Sequence, residues 1–364
     1  MNILITGVTG ALGKALVPRL ATSGHKMFGL VRPKGGLNPH TRISKSKTIN
    51  FHVVEGDVTC PLAGISGMDL VFLKHAPINM ILHSAALISF DKVKVAETKQ
   101  VNVNGVKNML ELAEMLNVRD FRHVSTAYIA GNATRLSENE FDLGQTWRNP
   151  YERSKFEGEK LVRLWAKQSD RRATIYRPSV IVGSHETGET TTYDGLYGFF
   201  RSIVVVDRLR KRLERELPLV SSHLTVYSSS FTKINIVPMD WLIGQLTLLL
   251  GLPAANTTYH LVHNNPPRVR WVIEKVLENL GITGMICASR KRAMFSHAHP
   301  MQNTLDEALQ LFRPYLFHET EFVTGNIGKA LGKKFETPPT INEKFLASIL
   351  EYAIRTHWGK GGGK

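Results

Sequence analysis

Asn2-Ile3-Leu4-Ile5-Thr6-Gly7-Val8-Thr9-Gly10-Ala11-Leu12-Gly13 is the stretch that decides the fold. A short β-type apolar run is followed at once by three glycines at the opening of a helical pattern. Gly7 lets the chain turn tightly, Gly10 lets the backbone approach a pyrophosphate, and Gly13 lets the helix pack on the sheet, while the helix N-terminal amides face the anion. Such glycines alone are common in ordinary turns; the strand before and the helix after make them a phosphate cradle.

Outward from this cradle, short β-type runs alternate with amphipathic helical patterns. Strands are expected at 2–6, 26–31, 50–54, 80–83, 121–125 and 174–177, with helices at 10–23, 94–116 and 151–168 between them. Strand, helix, strand in repetition predicts an α/β fold, a Rossmann-type doubly wound parallel sheet, over residues 1–183. Beyond Gly183 the alternation stops, and residues 184–358 read as a smaller, mixed C-terminal substrate lobe with helices near 195–216, 241–250, 269–280 and 342–357. Within it, 231–252, with Asn235-Ile236-Val237-Pro238, looks like a return to the sheet, and 359–364 reads as a flexible tail.

The chain has 364 residues, 43% hydrophobic and 21% charged, enough for a large core with an appended lobe. Two cysteines, Cys60 and Cys287, make neither a disulfide scaffold nor a metal site, so no metal is expected and a reducing cytoplasm is inferred. No run approaches the length of a membrane helix, and no basic-then-apolar leader precedes Ile3. The formal charge of +15 invites a nucleic-acid partner, but the charge is spread and no such motif accompanies it. The densest run, Arg208–Arg215, alternates with leucine at helical spacing and reads as a solvated helix face or a contact for an acidic partner.

The end of the second strand bears on the cofactor. An acidic side chain there would hold the ribose hydroxyls of NAD, whereas Val31-Arg32 suits the 2′-phosphate of NADPH/NADP. Residues 1–54 carry Lys14, Arg19, Lys26, Arg32, Lys34, Arg42, Lys45 and Lys47 and no acid at all. Asp57, in Glu55-Gly56-Asp57-Val58-Thr59, is placed either to bond the adenine amino group or to close an Asx turn. His83-Ser84-Ala85-Ala86 offers small residues where a cofactor backbone would pass.

Tyr151-Glu152-Arg153-Ser154-Lys155 opens an amphipathic helix, and the i, i+4 spacing sets phenol and ammonium on one face. A phenol with an ordinary pKa of ~10 is protonated at neutral pH; a neighbouring cation is expected to bring it down, so that Tyr151 can shuttle a proton while Lys155 holds the nicotinamide ribose. A surface Tyr and Lys at this spacing are common by chance. The context argues otherwise: Phe121–Val124 leads into Ser125 and Thr126, 26 and 25 positions upstream of Tyr151, where a donor to a reacting carbonyl oxygen is wanted. Thr126 is chosen as that donor, with Ser125 its neighbour or substitute.

Taken together these residues resemble the extended short-chain dehydrogenase/reductases, and more narrowly their thioester reductase and fatty acyl-CoA reductase branch. The resemblance runs from Asn2 to about His263 and rests on TGVTGALG, EGDVT, HSAALISF, NVNGVKNMLELA, HVSTAYIAG, NPYERSKFEGEKLV, YRPSVIVG, TGETTTYDGLY and INIVPMDW. It implies catalysis by Thr126, Tyr151 and Lys155, phosphate binding by Thr9, Gly10, Ala11 and Leu12, and a hold on the 2′-phosphate by Arg32. It also implies that Asp57 and Val58 meet the adenine, that Ser84 and Ala85 (with Ala86) meet the middle of the cofactor, and that Pro178, Ser179 and Val180 flank the nicotinamide. Asn102 would support the active-site helix, and residues 183–192 would line the way into the substrate lobe.

The activity so implied is NADPH-dependent reduction of an acyl thioester, carried on CoA or on an acidic carrier protein, to an aldehyde or on to the alcohol. The positive charge fits an acidic carrier. Two other readings stay open: an NADP-dependent ketoreductase acting on a steroid, flavonoid or sugar nucleotide, and a non-catalytic NADPH-sensing protein. Homodimers are common in the superfamily, but no sequence feature identifies an interface. The region after about Pro266 matches nothing in the resemblance.

Overall fold

The structure, a computed structural model, describes residues 1–33, 50–168, 170–216, 223–289 and 299–359. Lys34, Arg42, Lys45 and Lys47 of the basic stretch and residues 360–364 of the expected tail lie outside the described residues. The chain divides into two compact units: Met1–Ser179 with Met239–Val262 and Phe322–Glu336, and Val180–Pro238 with His263–Glu321 and Thr337–Lys364.

In chain order come β1 (Asn2–Thr6), α1 (Ala11–Thr22), β2 (Lys26–Val31), β3 (Phe51–Glu55), α2 (Gly67–His75), β4 (Met80–His83), α3 (Val95–Lys99), α4 (Gly105–Met115), β5 (Asp120–Val124), β6 (Arg135–Ser137), α5 (Pro150–Trp165) and β7 (Arg172–Pro178). They are followed by β8 (Val180–Val182), α6 (Leu196–Glu216), β9 (Leu224–Tyr227), β10 (Ile236–Pro238), α7 (Met239–Leu250), β11 (Thr257–Leu261), α8 (Val269–Asn279), β12 (Met285–Ala288), α9 (Gln302–Leu309), α10 (Arg313–Phe317), β13 (Glu321–Val323), α11 (Asn326–Leu331) and α12 (Glu343–Arg355). Among the described residues no helix is long and apolar enough to cross a membrane.

The first unit is built on a seven-stranded sheet in the order β11-β7-β5-β4-β1-β2-β3, every pair parallel. A parallel sheet is covered on both faces, which is why its central strands read as unbroken apolar runs: Ile3, Leu4, Ile5, Ile81, Leu82 and Phe121 are all fully buried. The strand order reverses between β1 and β4, and the glycine-rich segment leaves β1 at that switch point, where ligands of such sheets bind.

The structure departs from the sequence expectation at three places. The helix expected over 94–116 is α3 and α4 joined by a π-helical turn, Gln100–Asn104, which carries Asn102 to a buried position. A further helix, α2, was not expected, because Met68, Val71 and Phe72 face solvent and blur its apolar period. The return to the first unit is 239–262, not 231–252. The apolar run 236–238 is indeed a strand, but it pairs with β8 in the second unit, and the seventh strand of the large sheet is β11. The segment Phe322–Glu336 also belongs to the first unit.

In the second unit α6, α8, α9 and α12 share an apolar core with Phe199, Phe200, Ile203, Val276, Leu305 and Ile349, and two short parallel strand pairs, β8 with β10 and β9 with β12, complete it.

Arg122 on β5 fastens the returning segment of the first unit. Its guanidinium is 2% exposed, pairs with Asp120 at 2.8 Å, and donates to the carbonyls of Leu249 and Leu250 at 3.1 Å and of Leu252 at 2.8 Å. The Leu249 and Leu250 carbonyls close α7 and Leu252 follows it; among the described residues only Leu249 O has another donor, the Leu252 N–H at 3.2 Å. Arg122→Met is therefore expected to cost about 3–5 kcal/mol of stability, because it leaves a carboxylate and the Leu250 and Leu252 carbonyls short of a donor. Urea unfolding checks this, and a loss below about 1 kcal/mol would refute the role.

Candidate active site

Local sequence sets the first turn of α5. The Asn149 side chain caps it by accepting from Glu152 N at 3.0 Å, Pro150 takes the first helical position, and Glu152 turns back to the backbone N–H and the Nε of Arg148, both at 3.0 Å. Tyr151 is thereby held in that turn, with Phe90 against it at a ring separation of 6.3 Å. One turn on, Lys155 is 3% exposed and donates from Nζ to the Val124 carbonyl at the end of β5, at 2.6 Å.

Thr126, just past β5, is 4% exposed. Its hydroxyl donates to Pro178 O at 3.2 Å, receives Tyr128 N at 3.3 Å, and makes a hydrogen bond with the Tyr151 phenol. The fold thus brings Thr126, Tyr151 and Lys155 together from the end of β5 and the start of α5. Ser125 is buried beside Glu159, with its backbone N–H on Tyr176 O at 2.7 Å.

The electrostatics correct one expectation. Burial pushes the Tyr151 phenol above its ordinary range; its hydrogen bond with Thr126 opposes this and Glu152 adds to it. The Lys155 ammonium, turned to Val124 O, does not lead the balance. Lys155 is itself brought down to about 8, by burial first, with Glu159 pulling the other way. Burial works against the Glu159 carboxylate, but its 2.7 Å ion pair with Arg177, with Arg163 and Ser125 adding to it, holds it below the usual range.

Sequence reasoning missed the layer beneath. His83 and His123, paired in register on β4 and β5, stack at 5.6 Å and are fully buried. Burial, then the Lys155 charge, lowers both, His83 to about 3. Thr6 Oγ1 accepts from Ser84 N and Ala85 N at 3.1 Å each, so its proton goes to His83 Nδ1 at 2.9 Å. A histidine in each of two adjacent strands was the available signal, but only register puts them in contact.

Glycine geometry tests whether a dinucleotide fits. Gly7 has φ +74°, and a Cβ there would meet Ala85 N at 2.8 Å and Ser84 Oγ at 2.9 Å. A Cβ on Gly13 would lie 2.3 Å from Gly7 O. Gly10 is the cap of α1 and supplies no side chain to it, and no acid stands in the first turn, so the amides there suit an anion. Thr9, Ala11 and Leu12 are partly exposed around that turn. Arg32 is exposed just past β2. Ser84 Oγ donates to Thr6 O at 2.7 Å, and Ala86 is exposed. Ser179 Oγ, like Ser125 Oγ, is buried with no hydrogen-bond partner among the described residues. The site fits the group.

Asp57, Val58 and Asn102 make contacts within the protein. Asp57 Oδ1 accepts from Thr59 N at 2.9 Å and Thr59 Oγ1 at 2.8 Å, the Asx turn. Val58 is buried, its carbonyl bonded to Asn108. Asn102 is enclosed, linking Leu87 N at 2.8 Å and Leu87 O at 3.0 Å to Ser154 Oγ at 2.9 Å, so it ties the segment after β4 to α5. Pro178 ends β7, and Val180 is the first residue of the second unit.

Sheet, cradle and Thr/Tyr/Lys set define a nucleotide-binding protein of the extended short-chain dehydrogenase/reductase fold. A family model of NAD-binding domains, described as male sterility protein, matches residues 5–245, and the chain belongs to that family. It is 27% identical over 291 residues to the fatty acyl-CoA reductase wat of Drosophila melanogaster, covering 67% of this chain and 53% of that protein. With fatty acyl-CoA reductase 1 of Gallus gallus it shares 33% identity over 156 residues, 38% of this chain and 30% of that protein. The chain thus matches about half, or less, of the length of these relatives. Among solved structures, the terminal R domain from the myxalamid PKS-NRPS biosynthetic pathway gives a TM-score of 0.77 at 21% identity, over 100% of this chain and 92% of that one. A dTDP-glucose 4,6-dehydratase from Bacillus anthracis in complex with NAD gives 0.65 at 15%, over 98% of each chain. These two likenesses show the fold. A nicotinamide dinucleotide is the cofactor that family and cradle agree on.

Lys155 supplies a titration test. With its pKa lowered to about 8, the group is charged below that pH and neutral above it. The unfolded chain, with a lysine pKa of ~10.4, holds the proton more tightly, so this group's contribution to stability grows as pH rises from about 8 towards that value. Titration of lysine Cε by NMR, with Lys155→Met identifying the signal, should give a midpoint near 8. A midpoint near the ordinary ~10.4 would contradict the burial of the ammonium.

Proposed function

We propose that this chain reduces an acyl thioester to the aldehyde, using NADPH. The observation that carries the reading is the convergence of Thr126, Tyr151 and Lys155 beside a dinucleotide cradle, in a chain of the family to which fatty acyl-CoA reductases are similar.

A nicotinamide bound past the cradle supplies the hydride. The chain's own residues do the rest. Negative charge gathers on the thioester oxygen as its carbon becomes tetrahedral, and the Tyr151 phenol is the donor available to it, with the Thr126 hydroxyl a second once it turns from the Pro178 carbonyl. Tyr151 gives its proton to that oxygen. A phenol raised by burial is in its donating form throughout the physiological range, which suits a reduction. The hemithioacetal then collapses, the C–S bond breaks, and thiol and aldehyde leave. Lys155 orients the nicotinamide ribose and keeps a positive charge behind the phenol. Arg32, exposed past β2 in a stretch without acids, is assigned the 2′-phosphate that separates NADPH from NADH. Asp57 is assigned the adenine end through Oδ2, its Oδ1 being held in the Asx turn, with Val58 beside it, and Pro178, Ser179 and Val180 are assigned the nicotinamide end.

The test is NADPH oxidation with a long-chain acyl-CoA, beside NADH. Tyr151→Phe should lower kcat by about 10²-fold or more, and Arg32→Ala should raise the KM for NADPH about tenfold or more while sparing NADH. If acyl-CoA leaves NADPH unconsumed and a ketone or sugar nucleotide consumes it, the thioester assignment falls and the small-molecule reductase takes its place.

A further inference from the structure

Helix α6 carries a ridge of arginines of which only Arg212 has an acidic partner among the described residues. Its inward face, with Phe199, Phe200, Ile203 and Val206, is core. On the outward face Arg201, Arg208, Arg212 and Arg215 follow the i, i+7, i+11, i+14 spacing that stays on one side of a helix, over roughly 21 Å at 1.5 Å per residue. Beside them stand Val205, 48% exposed, and Leu209, 47% exposed.

The acids of the helix are largely spoken for. Asp207 pairs with Arg210 at 2.7 Å and with Lys211 at 2.9 Å, Glu214 with Arg210 at 2.6 Å, and Glu216, the one acid on the ridge, lies 3.5 Å from Arg212. Among the described residues Arg201, Arg208 and Arg215 have no acidic partner. A row of guanidiniums with two apolar side chains alongside is complementary to an acidic helix that presents carboxylates and one or two apolar residues at the same spacing. It is poorly suited to a membrane surface, because the broad apolar face of α6 is already used by the core and only Val205 and Leu209 remain to insert.

We infer that the outer face of α6 docks an acidic acyl carrier protein. This rests on the thioester reading and adds to it a surface and a partner. Arginine suits the task because its planar fork meets carboxylates bidentately.

The test measures binding apart from turnover. A holo acyl carrier protein of the fatty-acid type, carrying no acyl group, is titrated against the full chain at ~50 and ~300 mM salt. Binding should be measurable at low salt and weaken at high salt. Arg208→Glu/Arg215→Glu should weaken it by about tenfold or more, Arg208→Lys/Arg215→Lys by much less, and acyl-CoA turnover should be the same in all three proteins. No binding by the unmodified chain, or equal binding by the Glu variant, overturns the proposal. So does loss of binding to phosphatidylglycerol vesicles in place of loss of binding to the carrier. Carrier binding that is lost in the Glu variant, in a protein inert towards every thioester, would sustain the docking surface and reject the reaction.

Discussion

The site depends on one contact, the buried Lys155 ammonium on the Val124 carbonyl at 2.6 Å. An ammonium away from water needs an acceptor, and the free end of a parallel strand provides one. Making that bond docks α5 against the end of β5, and docking α5 carries Tyr151 to Thr126. Neighbouring groups must then suit a buried cation. His83 and His123 stay neutral, and Glu159, held ionised by Arg177, supports the charge from the same helix. Arg177 is fully buried, so this support is part of the core and not a surface ion pair.

The second constraint is steric. The cradle works only because Gly7 and Gly13 leave room that any side chain would fill, and Thr6 links the two halves of the site. Its hydroxyl holds the amides of Ser84 and Ala85 on one side and His83 on the other, and His83 in turn stacks on His123 of β5. Binding and chemistry share that floor.

Much of this was legible in the sequence where function is written in local pattern. The glycine stretch, the six expected strands of the first half, the cap Asn149-Pro150 before Tyr151, and Ser125-Thr126 at a strand end each depend on neighbours in the chain. What escaped depends on distant partners. The strand 236–238 has the composition of a sheet strand, and only pairing with Val180–Val182 removes it from the large sheet. The π turn at 100–104 is invisible to a period count that sees one long helix. The phenol was expected to be lowered because Lys155 stands four residues on, whereas burial, which spacing does not report, pushes it the other way. Asp57 shows the same limit: its type and place suit the adenine and the Asx turn alike, and the turn is what the side chain makes here.

The most direct measurement is a single turnover with acyl-CoA and NADPH deuterated at the transferring position of nicotinamide C4, the aldehyde being trapped and its mass read. One deuterium at C1 of the trapped aldehyde is the predicted result, with no such product from Tyr151→Phe. Oxidation of the cofactor without deuterium at C1, or label on any other carbon of the acyl chain, would contradict reduction of the thioester carbonyl at this site.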